Sequence, residues 1–355
     1  MNRWWRTGII LAMTLLLTMT ASSFALAVPQ EDPSANAYYT LLDENNNVIH
    51  QTGTKVYVGD EYISAGNSRY KVTEITGETA RCIYQGQEEM PVLQYDQKQS
   101  AWIFNQAIPA AASKKPTIAV YHTHSDESYV PSDGKESIEG NGGIYDVGEV
   151  MVKKLKTMGF NVQYSENNHN PHDVNAYNRS RRTAASLLKK SQPDAILDVH
   201  RDAVPASQYQ AQVKGTDVTK IKLVVGRSNP NMKTNMEFAK KIKAVMDKKA
   251  PGLSNGIYIG KGDYNQDLSS RAMLIEVGAH TNKKEDAEKG VSLFAETLPS
   301  VLGISLNNNT SSTSPAKKPL STGDNQGAGS TILILLVVVA AAAGGYYLLN
   351  KGTNK

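Results

Sequence analysis

The sequence predicts an α/β fold: a mainly parallel sheet flanked by helices, with a small N-terminal β module before it and a C-terminal transmembrane helix after it. Three observations carry the prediction. From residue 117 onward, short apolar runs rich in Val and Ile alternate with stretches of helical period. Between residues 37 and 94, short strand-like runs alternate with turn residues. Residues 331–349 are apolar and carry no charge. With 355 residues, 40% hydrophobic and 20% charged, the chain can build one good core plus a smaller module and is too well mixed to be disordered.

Residues 1–27 read as a signal peptide. Arg3 and Arg6 form a basic start, Ile9 to Thr20 an apolar stretch, and Ala25-Leu26-Ala27 a cleavage site. An uncleaved anchor is the other reading, against which stands the shortness of the apolar stretch. Residues 28–110 form the small β module. Tyr38 to Leu42 precedes the turn Asp43-Glu44-Asn45-Asn46-Asn47, Lys55 to Val58 precedes Gly59-Asp60, Tyr62-Ile63 precedes Ser64 to Asn67, and Tyr70 to Ile75 precedes Thr76-Gly77. Such punctuation is a hairpin pattern. No cluster of His and carboxylate falls here, so the module is expected to position the chain or to touch a partner.

Residues 111–305 carry the α/β pattern. Residues 117–121 (TIAVY) are a buried-strand run. Asp146 with Glu149 makes a capping box, and Val147, Val150, Met151, Leu155 and Met158 share one helical face until Gly159. Strands follow at 160–164, 195–199, 221–225, 257–259 and 272–277. Helices are expected at 177–190, after Asn229-Pro230 (with Phe238, Ala239, Ile242 and Met246), and through Val291, Phe294, Leu298 and Val301. In such sheets, sites form at the carboxyl ends of the strands.

Residues 306–330 read as a Ser/Thr/Asn-rich linker, with no apolar face in 307–314 (NNNTSSTS). The span at 331–349 ends in Tyr346 and Tyr347 near the interface, and Lys351 and Lys355 hold residues 350–355 as a cytoplasmic tail. The body is therefore expected outside the cell, on a membrane protein with a single pass. Leu320-Ser321-Thr322-Gly323-Asp324 also resembles a sortase sorting signal, though it lacks the usual proline and one residue. The formal charge of +4 rests on Arg3, Arg6, Lys351 and Lys355 in flanks without acids. The body is near neutrality and offers no cationic footprint for nucleic acid. The lone Cys82 excludes a disulfide framework within the chain and a Cys-rich zinc module.

Three strand ends carry polar residues unsuited to a core: Val120-Tyr121-His122-Thr123-His124-Ser125-Asp126-Glu127, Asp198-Val199-His200-Arg201-Asp202, and Leu274-Ile275-Glu276-Val277-Gly278. His122, His124, Glu127, His200 and Glu276 are ligand or acid/base types, all expected at one edge of the sheet. Imidazole and carboxylate are the ligands of catalytic zinc sites, which keep one position for water. A further carboxylate can take the proton of that water. A lone strand-end His is ordinarily a surface or satisfied residue, and Asp198 can simply pair with Arg201. Glu276 inside an apolar strand is harder to dismiss, because burying an unpaired carboxylate is costly. There is no His-Glu-x-x-His helix, so the ordinary metalloprotease signature is absent.

Residues 117–304 resemble the stage II sporulation protein P family, membrane-tethered peptidoglycan hydrolases of spore-forming bacteria. The matching stretches run from Tyr121 to Tyr129 (YHTHSDESY), from Leu197 to Ala203 (LDVHRDA), from Tyr264 to Leu268 (YNQDL) and from Leu274 to Ala279 (LIEVGA), with Asn229-Pro230-Asn231 before its helix. Gly59-Asp60-Glu61-Tyr62-Ile63 resembles the family's N-terminal part. The resemblance implies a zinc amidase-like catalytic domain that cuts the amide of N-acetylmuramoyl-L-alanine, with endopeptidase activity on stem-peptide cross-links, in the wall remodelling of sporulation and engulfment. It implies His124 and His200 as zinc ligands and Glu276 as general base. Glu127 is the favoured middle ligand, Glu139 its competitor. His122 either ligates in place of His124 or orients the site. Arg201 is expected to hold an oxyanion or a substrate carboxylate, or else to pair with Asp198 or Asp202.

Tyr264, Asn265 and Gln266 form a polar loop suited to reading glycan or peptide amides. His169 and His172 are weaker candidates for substrate contact, and His280 for the rim. The family's partners are the peptidoglycan substrate and the stage II sporulation proteins D and M. This sequence departs from the family in anchoring, because the usual member is held by an N-terminal span. That departure puts the engulfment role and the two protein partners in question. Two rival functions use the same features: a zinc endopeptidase or carboxypeptidase acting only on stem peptides, and a non-catalytic wall-binding protein.

Overall fold

The computed structural model describes residues 38–92 and 115–303. The signal peptide read at 1–27, the linker at 306–330, the membrane helix at 331–349 and the tail at 350–355 lie outside them. No helix among the described residues is long and apolar enough to cross a membrane.

The N-terminal strands are β1 (Tyr39–Leu42), β2 (Val48–Thr52), β3 (Glu61–Ile63), β4 (Ser68–Thr76) and β5 (Thr79–Gln87). Then follow β6 (Thr117–Tyr121), α1 (Val130–Asp133), α2 (Ile144–Thr157), β7 (Asn161–Tyr164), α3 (Ala176–Ser191) and β8 (Ala195–Asp202). A hairpin of β9 (Gln210–Val213) and β10 (Thr216–Thr219) leads to β11 (Ile221–Gly226), α4 (Met232–Lys249), β12 (Ser254–Gly260), β13 (Ala272–Ala279), α5 (Lys284–Ala295) and α6 (Leu298–Leu302).

Eleven strands form one sheet in the order β2-β1-β5-β4-β3-β12-β11-β13-β8-β6-β7. In the stretch from β12 to β7 every pairing is parallel except β11 with β13. This is the mainly parallel α/β sheet the alternation predicts. The N-terminal strands continue it, because β3 pairs antiparallel with β12. Leu41, Val56, Tyr62, Val72 and Ala80 also share one apolar cluster with Tyr177, Val224, Tyr258, Tyr264 and Leu274.

Strand alternation decides which side chains reach the site. Leu197 and Val199 of β8, Leu223 and Val225 of β11, and Ile275 and Val277 of β13 enter the large core under α2, α4 and α5. Asp198, His200, Asp202, Lys222, Val224, Leu274 and Glu276 therefore take the opposite face, which α3 and the N-terminal strands cover. Across the register, Lys222 sits opposite Glu276 and Glu276 opposite His200. One buried row thus carries three ionisable groups from three strands.

Several local expectations need correction. Residues 55–58 form no strand: Asp60 draws the segment into a turn by accepting from the Tyr57 N–H. The helix at 144 begins without the capping box. Its N-cap is Gly143, whose N–H is taken by the Ser128 hydroxyl, while Asp146 pairs with Lys284. Strand β8 runs on through Asp202, so His200 lies within it. The last helix is two, separated before Pro299 in α6. The β9–β10 hairpin was not anticipated; its turn, Lys214-Gly215, has both residues at positive φ, the twist that closes tight hairpins.

Candidate active site

The loop leaving β6 brings Glu127 between two imidazoles. Its Oε1 lies 3.2 Å from His124 Nδ1 and 3.3 Å from His200 Nδ1, and its Oε2 accepts from the Arg201 backbone N–H at 2.9 Å. The rings of His124 and His200 meet edge to face with centroids 5.0 Å apart. Glu127 thus holds an imidazole from its own loop and one 73 positions away along the chain. The expected convergence of His124, Glu127 and His200 is present.

His200 is held from behind. Its Nε2 is 3.0 Å from Asp198 Oδ1 but off the line of a hydrogen bond, leaving that buried nitrogen unsatisfied. Asp198 is itself fixed by the backbone N–H and hydroxyl of Thr123. Burial opposes charge on His200, yet Asp198 and Glu127 together hold its imidazole well above the ordinary range. Burial likewise opposes charge on Glu127, but His200 and Arg201 outweigh it and the carboxyl lies well below its usual range.

A further histidine joins the group. His172 stacks on His124 with centroids 3.9 Å apart, and its Nδ1 lies 3.1 Å from Asp126 Oδ1. Among the described residues, ligand-type atoms of His124, Glu127 and His172 all fall within 4.8 Å of one another. From sequence His172 is only a weak candidate for substrate contact. Its loop is pinned by Arg179 of α3, which donates to the carbonyls of His169 and Pro171 and pairs with Asp173. No local sequence signal ties residue 172 to residue 124; the long-range fold does.

Glu276 lies on the same cavity. It is 6% exposed, and its Oε2 has no partner. Burial first, and the Asp202 carboxylate second, push its carboxyl up to about 8. The cavity holds about 650 Å³ and is lined by six carboxylates against one permanent cation, Arg201. Such a lining attracts a cation.

Other sequence-predicted residues take different roles. His122 is fully buried, with Nδ1 2.8 Å from the Val199 carbonyl and Nε2 2.9 Å from the Tyr164 hydroxyl. Both nitrogens are committed, so His122 is no ligand. A Cβ on Gly148 would fall 2.5 Å from its Nε2, which shows how tightly α2 closes over the ring. His169 is committed likewise, to the His122 carbonyl and the Thr183 hydroxyl.

The side-chain amides of Asn265 and Gln266 are committed inside the fold. The Asn265 amide donates to the Tyr177 carbonyl and the Ser180 hydroxyl, and Gln266 brackets β11 by donating to the Val224 carbonyl and accepting from the Gly226 N–H. Tyr264 does line the cavity, as does His280. Glu139 is exposed and absent from that lining. Arg201 pairs with neither Asp198 nor Asp202. Its guanidinium lies 3.9 Å from Glu127 and donates to the Glu136 carbonyl, while Asp202 is taken by Lys222.

Comparison with known proteins follows this geometry. The model of the family described as Stage II sporulation protein P (SpoIIP) matches residues 35–299. Stage II sporulation protein P of Bacillus subtilis (strain 168) is 28% identical over 202 residues, 52% of this chain and 50% of that protein. The chain therefore spans about half the length of the curated relative it matches. Among solved structures, the apo form of an N-acetylmuramyl-L-alanine amidase from Mycobacterium abscessus is similar at 14% identity, with a TM-score of 0.34, over 53% of this chain and 97% of that one. An N-acetylmuramoyl-L-alanine amidase from Clostridium difficile 630 is similar at 18% identity, with a TM-score of 0.35, over 54% and 97%. Superpositions this loose assign no role to any residue.

Proposed function

We propose, from the premise that this chain belongs to the stage II sporulation protein P family, that it is a zinc-dependent peptidoglycan hydrolase cutting the N-acetylmuramoyl-L-alanine amide. The observation that carries the reading is the meeting of His124, Glu127 and His200 around one cavity that also holds the Glu276 carboxylate, whose Oε2 has no partner.

The donor set suits zinc: two or three imidazoles and a carboxylate, with carboxylates behind the rings of His200 and His172. His124 and Glu127 are two of the residues that would hold the ion. Asp198 behind His200 favours that histidine as the third, and the compact grouping with His172 makes it the rival. Zinc, when bound, brings the pKa of a coordinated water toward about 7 and polarises a carbonyl. Glu276 supplies the base. In its ionised form its carboxylate takes a proton from the attacking water and returns it to the departing amine nitrogen. Arg201 faces the negative charge that develops on the carbonyl oxygen.

Purified protein incubated with sacculi tests the reading. Zinc in the protein and new L-Ala amino termini among the products support it; protein that carries no zinc and releases no such termini sinks it. Mass spectrometry separates the rival activity, since a stem-peptide endopeptidase or carboxypeptidase leaves the lactyl–Ala bond whole.

The setting is proposed with the activity. Sporulation is the occasion of use, the catalytic part lies outside the cytoplasm, and residues 331–349 tether it to the cell membrane. Protease shaving of intact cells tests the placement. Partnership with the stage II sporulation proteins D and M is tested by co-purification from sporulating cells.

A further inference from the structure

The N-terminal strands do more than extend the sheet. The segment after β2 reaches the cleft, where Gly53 and Thr54 line the same cavity as His124, Glu127, His200 and Glu276. Its anchorage is buried and specific. The Gly53 N–H donates to Asp202 Oδ1 at 2.7 Å, and Lys222 Nζ donates to Thr52 Oγ1 at 3.0 Å while pairing with Asp202. Asp202 also accepts from the Ala203 N–H and the Tyr209 hydroxyl. Lys222 is fully buried and Asp202 2% exposed, so neither has water to replace a lost partner.

Asp202 ends β8, two residues beyond His200, where the register with β13 slips between Glu276 and Ala279. Asp202 rejoins the ladder opposite Ala279, its carbonyl accepting from the His280 N–H at 2.8 Å, so its carboxylate is left to hold the N-terminal segment. Residue 53 must also be small. A Cβ there would stand 2.7 Å from Ala203 Cβ and 2.9 Å from Ala203 N.

We propose that residues 52–54 are a substrate-facing wall of the cleft, seated on Asp202 and Lys222, and that the N-terminal module thereby takes part in binding the peptidoglycan fragment. Thr54 is the residue that faces the fragment; Gly53 and Thr52 position the wall. This rests on the hydrolase reading, but the two fail differently.

The test uses the full chain, with soluble muropeptides as ligand and substrate and with zinc alone as a separate ligand. Thr54→Trp is expected to weaken muropeptide binding and raise KM about tenfold, with zinc affinity unchanged. Gly53→Ala is expected to lower kcat/KM about tenfold or more, and Ala203→Gly in the same chain to recover part of the loss, since it removes the Cβ clash but leaves the residue 203 N at 2.9 Å. Should Thr54→Trp fold poorly, Thr54→Leu carries the same test with a smaller rise in KM. A Thr54 variant that folds, binds and cuts as the wild type does overturns the wall and leaves the hydrolase reading standing. A wild type that binds muropeptides but cuts nothing overturns the hydrolase reading, and a loss of binding in Thr54→Trp then still supports the wall. A wild type that neither binds nor cuts overturns both.

Discussion

Replacing Glu276 by Gln removes an acid whose burial the fold opposes, and the size of the effect follows from its surroundings. An ordinary glutamate carboxyl titrates at 4.5, and here burial and Asp202 raise it to about 8. At roughly 1.4 kcal/mol per pH unit, that rise corresponds to a ceiling of about 5 kcal/mol. Because the group lines a cavity that admits water, about 2–5 kcal/mol is expected. The sign is set by which state keeps the proton. Between pH 4.5 and about 8 the folded chain holds a proton that the unfolded chain has released. The stability contributed by the neutral acid is therefore complete below 4.5, falls as pH rises, and is gone above about 8.

A neutral amide has no such proton to lose. In chelator-treated protein, urea denaturation from pH 5 to pH 9 should show Glu276→Gln gaining on the wild type as pH rises, by about 2–4 kcal/mol across the series. Chelation matters, since a cation in the cavity would favour the ionised carboxylate and flatten the slope. Parallel curves for the two proteins would refute the claim that Glu276 is held uncharged by its burial.

Three further outcomes are expected. His122→Ala should lower stability by about 2–4 kcal/mol, because it removes the contacts to the Val199 carbonyl and the Tyr164 hydroxyl and leaves a cavity under α2, yet leave calorimetric zinc affinity unchanged. Asp198→Asn should weaken zinc binding by about 10- to 100-fold with the fold intact, since Asp198 stands behind His200. Lys222→Met should cost about 3–5 kcal/mol in denaturant by stranding Asp202 in the interior, and adding Asp202→Asn should recover part of it.

Much of the site was legible because strand alternation is local. Asp198, His200 and Asp202 recur at every second residue of an apolar run, and Glu276 interrupts another, so both strands announce a polar face. Lys222 sits in a third such run, where a charge inside Ile-Lys-Leu-Val-Val is the same signal. The confusion of His122 with His124 has a physical origin. Alternation says that two residues apart share a side while the strand lasts, but β6 ends at Tyr121, and beyond it the chain turns. His122 then points into the space under α2, and His124 into the cleft.

His172 and the segment 52–54 were illegible for another reason. Their places depend on pairings across 46 and 149 positions of sequence, to Asp126 and Asp202, that no local pattern encodes. Asn265 and Gln266 look like substrate readers because polar loop residues usually meet solvent. Here the backbone of β11 and α3 absorbs their amides.

Calorimetric titration of the metal-free full chain with zinc tests the central claim most directly. One ion should bind per chain in the wild type and in His122→Ala, and none measurably in His124→Ala. Binding that survives the loss of His124, or a wild type that takes up no zinc, would contradict it.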